Sequence, residues 1–131
     1  MGGILMDWWN ILKVDIDFAE SLGYNPPGEF TAIREKNKKT GESNRLDPRW
    51  KDPRIRIYPA EVVRTLTRQL GRKPTDEEIE ESTVDTIRHE SGHAAHHQIQ
   101  GEDWHDNTYD EHEDFAHQFE TRSRDERGRS I

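Results

Sequence analysis

At 131 residues the chain has room for one domain, and with only 30% hydrophobic and 35% charged residues its core must be small, a size at which a bound metal helps. Four Trp, four Phe and three Tyr argue against disorder throughout. The absence of cysteine excludes disulfides and thiolate metal sites and fits a reducing, cytoplasmic setting.

No run is long and apolar enough to cross a membrane. The opening MGGILMDWWN lacks the basic start and long apolar stretch of a secretory signal. The net charge of −8 is unevenly spread. Residues 31–73 hold thirteen Lys and Arg against five acids, and residues 74–120 hold fifteen acids against Arg88 alone. Either the two regions face each other or are simply solvated, or the basic one meets an acidic partner such as nucleic acid. No interleaving of aromatic and basic residues supports the second reading, so nucleic acid is the less favoured partner.

In chain order, Asp7-Trp8-Trp9-Asn10-Ile11-Leu12 reads as a helix start, whereas Val14, Ile16 and Phe18 alternate with Asp15 and Asp17 as in a strand. The helical reading is preferred for 7–22, with the Trp pair in the core. Gly23 to Gly28 is a break around Pro26-Pro27, and Glu29 to Lys36 is a candidate strand. Residues 37–44 read as an exposed, mobile loop, and Pro48 and Pro53 bracket an irregular piece. Arg54-Ile55-Arg56-Ile57-Tyr58 alternates as a short strand.

Pro59 then opens a helix to about Leu70, with Val63, Leu66 and Leu70 on one face and Gly71 as its stop. Thr75-Asp76-Glu77-Glu78 has the form of a capping box and starts a helix that runs to about Gln100. Gly92 within it costs up to about 1 kcal/mol relative to Ala. A loop from Gly101 to Thr108 leads to a helix from Tyr109 to about Thr121, on which Phe115, Ala116 and Phe119 share a face. The division is one domain over 1–121 and a flexible, Arg-rich tail over 122–131.

Four of the seven histidines fall in HESGHAAHHQI, residues 89–99, which opens with the pattern H-E-x-x-H. On a helix His89 and His93 lie one turn apart on one face, where both imidazoles can bind one zinc ion. Glu90 projects from a neighbouring face, placed to hydrogen-bond a water rather than to ligate. A catalytic zinc needs a third protein ligand and an open position. The downstream candidates are His96, His97, His105, Glu111, His112, Glu113 and His117. Three residues of one straight helix rarely surround an ion, which relegates His96 and His97 to supporting or exposed positions. A ligand from a second helix closes a tetrahedral site better, and Glu113 stands about one turn into the next helix, twenty residues after His93. The small Ala116 lets two helices approach.

H-E-x-x-H, a loop, and then E-x-x-A-x-x-F resembles the gluzincin branch of the zinc metallopeptidases. The likeness is greatest to its smallest members, the minigluzincins, and to related domains that cleave phage-type repressors. It covers roughly residues 54–119. It implies an α+β, zincin-like domain with a small twisted sheet packed on the motif helix and a glutamate-bearing C-terminal helix. It also implies Zn2+ held by His89, His93 and Glu113, with Glu90 as general base. The implied activity is that of a peptidase, active or self-blocked, whose partner is a peptide or protein substrate. The strand at Arg54–Tyr58 would offer its edge to an extended substrate. Two positions depart from the family: Arg88 stands where Leu or Ile is common, and His117 where Asn or Asp orients a ligand histidine. Tyr109, His112 and His117 are the candidates for stabilising an oxyanion or supporting a ligand. The competing reading is a non-catalytic, metal-stabilised regulator that binds protein or nucleic acid through residues 31–73. The sequence leaves substrate specificity and oligomeric state open.

Overall fold

The computed structural model describes residues 14–37, 39–47 and 53–129, with 46 and 123–129 as backbone only. The expected helix start at Asp7–Leu12, the Trp8–Trp9 pair, most of the Pro48–Pro53 piece and the end of the tail lie outside these residues.

The domain is α+β. Three short strands, β1 (Asp15–Phe18), β2 (Gly28–Thr31) and β3 (Arg54–Ile57), form one sheet in the order β1-β3-β2. β1 runs parallel to β3 and β2 antiparallel to it. Three helices follow: α1 (Pro59–Leu70), α2 (Asp76–Gln100) and α3 (Tyr109–Arg129).

The helix preferred for 7–22 is therefore wrong over 15–18, where the alternating pattern prevails. Asp15 and Asp17 stand opposite Arg54 and Arg56 in the parallel register, and Ile16 faces Ile55. Such cross-strand pairing of opposite charges stabilises a strand in a way that no local propensity reveals. The candidate strand from Glu29 to Lys36 is real but ends at Thr31, and Lys36 makes a single bridge with Ser43. Between them the chain folds back tightly. Gly41 N–H donates to Asn37 O at 2.8 Å, and the Asn37 side chain accepts from the amides of Lys39 and Thr40. The stretch is exposed, but it is a hydrogen-bonded turn rather than an open loop.

β3 is the strand expected at Arg54–Tyr58, but it lies at the centre of the sheet, paired on both sides. Its ladder groups are consumed within the sheet, so it cannot offer an edge to a substrate. Ile55 and Ile57 point inward and are fully buried. With Val62, Ala94 and Ala95 they form the core, on which Val14, Ile16, Phe30, Ile87, Phe115 and Phe119 pack.

Pro59 occupies the first turn of α1, and Gly71 ends it in the left-handed region (φ 70°), donating its N–H to Thr67 O. The buried face is shifted by one residue from expectation. Val62 enters the core rather than Val63, while Leu70 is exposed. Tyr58, Glu61 and Val62 are the residues that turn inward, with Glu61 accepting from Ser21 at 2.7 Å.

The capping box of α2 is complete. Glu78 N–H donates to Thr75 Oγ1 at 3.2 Å, and Thr75 N–H donates to Glu78 Oε1 at 2.9 Å. α2 runs unbroken for 25 residues. The expected loop after it is a 3-10 turn, Gly101–Asp106. α3 begins at Tyr109 as expected and continues past Thr121 to Arg129. It runs back along α2: His96 meets Phe115, Gly92 meets Ala116 and His89 meets Glu120.

Candidate metal centre

The sheet and α3 grip α2 from different sides, and both place backbone unusually close to it. A Cβ added to Gly92 would lie 2.8 Å from Ala116 Cα and 3.1 Å from Ala116 O. Real Cβ atoms essentially never come as close as the first of these distances, so the glycine is what lets the two helices touch at this level. A Cβ on Gly28 of β2 would lie 2.7 Å from Thr86 Cγ2 and 3.1 Å from Glu90 Cγ. The edge strand therefore passes directly over the acid of the motif.

Between these two close approaches the titratable side chains converge. α2 presents His89, Glu90 and His93, whose ligand atoms lie within 4.8 Å of one another. α3 presents Glu113 against them. His89 Nε2 is 3.2 Å from Glu113 Oε2, and His93 Nε2 is 3.1 Å from Glu113 Oε1. Two imidazoles thus aim the same nitrogen at the two oxygens of one carboxylate. A tetrahedral zinc with bonds near 2.1 Å separates its ligand atoms by about 3.4 Å, close to each of these two histidine–glutamate contacts.

The electrostatics favour a cation as well. Glu90 is buried, and burial together with the Glu113 and Glu29 carboxylates pushes its pKa up to about 8. A divalent ion among these carboxylates would relieve that repulsion. Burial and the neighbouring His89 push His93 down to about 4, which keeps its imidazole neutral and its lone pair open to a metal.

A cleft of about 430 Å3 opens beside the cluster, lined by Gly28, Thr86, His89, Glu90, Tyr109 and Glu113 among others. Tyr109 is largely exposed at its wall. His117 has its side chain 68% exposed, with Nε2 4.0 Å from Glu113 Oε2. It forms an alternative ligand group with His89 and Glu113. His112 is not part of the cluster. Its ring lies 6.4 Å from that of His93 and packs at 4.4 Å against Trp104.

The other candidate ligands have structural work. His96 is buried and stacks on Phe115 with ring centroids 4.3 Å apart, and His97 packs on Phe30 and Trp104. His105 packs on His97 and Trp104. The run of histidines after the motif is thus an aromatic layer beneath the site rather than an exposed face. Glu111 caps the start of α3, accepting from Thr108 N–H at 3.2 Å.

One residue escaped the sequence reading. Glu120, on α3, reaches His89 with its Oε2 3.4 Å from Nδ1. The signal for it is its spacing of seven from Glu113, which counts only if α3 faces α2 over its length.

Among the described residues, no helix is long and apolar enough to cross a membrane. Comparison with protein-family models, with curated proteins and with solved structures finds no match to this chain.

Proposed function

We propose that the chain is a zinc-dependent metallopeptidase of zincin-like architecture. The observation that carries this reading is the convergence of His89 Nε2 and His93 Nε2 on the Glu113 carboxylate at 3.2 and 3.1 Å, beside an open cleft. In this reading the three residues hold the ion. Bound zinc lowers the pKa of water to about 7 and polarises the carbonyl of a peptide bond.

The protein groups around it have distinct tasks. Glu90 lines the cleft with His89 and Glu113, and its ligand atom lies within 4.8 Å of those of His89 and His93. It is the general base, taking a proton from water and returning it to the leaving amine. Tyr109 is the favoured oxyanion donor, because it lines the same cleft whereas His112 packs beneath against Trp104. β2 replaces β3 as the strand that would pair with an extended peptide or protein substrate. Gly28 lies at the cleft wall, and among the described residues β2 pairs only with β3.

The regulator reading draws less support. Several cations of the 31–73 stretch are engaged within the chain. Arg34 pairs with Asp106 at 2.8 Å, Arg72 with Glu78 at 2.9 Å, and Arg45 with Glu35. The basic and acidic regions thus meet in part.

The test is zinc-loaded protein incubated with an unfolded protein substrate, cleavage being followed by mass spectrometry. Glu90→Gln should keep the ion and lose turnover by about 100-fold or more. Equal turnover in parent and variant, or none in the zinc-loaded parent, would remove the peptidase reading.

A further inference from the structure

His89 has two ring nitrogens, and each faces a different carboxylate of α3. Nε2 is 3.2 Å from Glu113 Oε2, and Nδ1 is 3.4 Å from Glu120 Oε2. Glu113 and Glu120 are seven residues apart, so both project from one face of the helix, two turns from each other. The Glu120 side chain is 18% exposed, against 68% for His117 between them. An imidazole that ligates a metal through Nε2 must carry its proton on Nδ1, and that N–H needs an acceptor if the ring is to be held in plane.

We propose that Glu120 is a positioning residue for the metal centre. It accepts the Nδ1–H of His89, fixing the tautomer and the ring orientation so that Nε2 meets the ion. The inference rests on the metal reading of His89, His93 and Glu113. It assigns the support of His89 to Glu120 rather than to His117, whose ring is 5.2 Å from that of His89 and largely in solvent. The close approach of Gly92 to Ala116 sets the spacing between α2 and α3 at which a glutamate side chain spans the gap.

The experiment measures zinc affinity by competition with a chromophoric chelator on the full chain. It is paired with proton–nitrogen NMR of the His89 ring in the zinc-loaded protein. Glu120→Ala should weaken zinc binding by about 10- to 100-fold and leave His89 without a single tautomer. Glu120→Gln, whose side-chain oxygen can accept the same bond, should recover most of the affinity and the Nδ1–H form. A purely structural role would not move the tautomer or separate Gln from Ala. Unchanged affinity and tautomer in Glu120→Ala would overturn the inference, as would equal losses in Ala and Gln. A parent chain that takes up no zinc would instead remove the metal reading beneath it, so the two failures are distinct.

Discussion

Gly92 and Ala116 bring two helices into backbone contact one level away from the candidate ligands. A Cβ on Gly92 would sit 2.8 Å from Ala116 Cα, and Ala116 itself is fully buried. This contact explains a glycine inside a 25-residue helix, where it costs up to about 1 kcal/mol relative to Ala. Gly92→Ala should therefore destabilise rather than stabilise. Overpacking against backbone typically costs about 1–3 kcal/mol, which exceeds the gain in helix propensity. Because Glu113 rides on α3, zinc affinity should fall as well. Chemical denaturation of the metal-free variant and a zinc titration check both parts. A variant more stable than the parent, with unaltered zinc binding, would contradict the packing argument.

Arg88 is a second test of the same helix. Its side chain is 5% exposed, and Nη1 donates to Asp85 Oδ1 at 2.8 Å. Among the described residues Nε and Nη2 have no partner. A buried cation with unmet donors is costly, and the Asp85 side chain is 42% exposed, within reach of water. Arg88→Leu should raise the unfolding free energy by about 1 kcal/mol or more. A loss of that size in urea denaturation would mean that Arg88 is better satisfied than this geometry indicates.

Acid sensitivity should concentrate at the start of α2. The paired guanidinium of Arg72 and then the Thr75 amide hold Glu78 down to about 2, from an ordinary value of 4.5. Its bonds thus contribute fully above the ordinary value and are lost as pH falls toward the lowered one. Metal-free parent and Glu78→Gln should differ in unfolding midpoint near pH 5, and the difference should shrink toward about pH 2. A constant difference across that window would show that the charge of Glu78 does not stabilise the cap.

Much of the helical frame was legible because its signals are local. Pro59 and Gly71 bound α1, and Thr75 with Glu78 starts α2. The alternation of Arg54, Ile55, Arg56 and Ile57 marks β3. The spacing of His89, Glu90 and His93 is equally local, whereas Glu113 was singled out among the downstream candidates through the resemblance of E-x-x-A-x-x-F. What was missed depends on partners distant in sequence. Asp15 and Asp17 become strand residues through Arg54 and Arg56, and the central place of β3 follows from both neighbours pairing with it. Val62 rather than Val63 turns inward for a tertiary reason too. His96 and His97 look solvated until Phe115, Phe30 and Trp104 are seen against them. Gly28 reads as part of a break, although its lack of a side chain lets β2 lie over Thr86 and Glu90.

The most direct test of the central claim is zinc content per chain, measured on protein purified without a histidine tag, beside His93→Ala and Glu113→Ala. The geometry of His89, His93 and Glu113 leads us to expect about one zinc in the parent and large losses in both variants. A parent that neither carries zinc nor takes it up on addition would contradict the account. So would full retention in both variants.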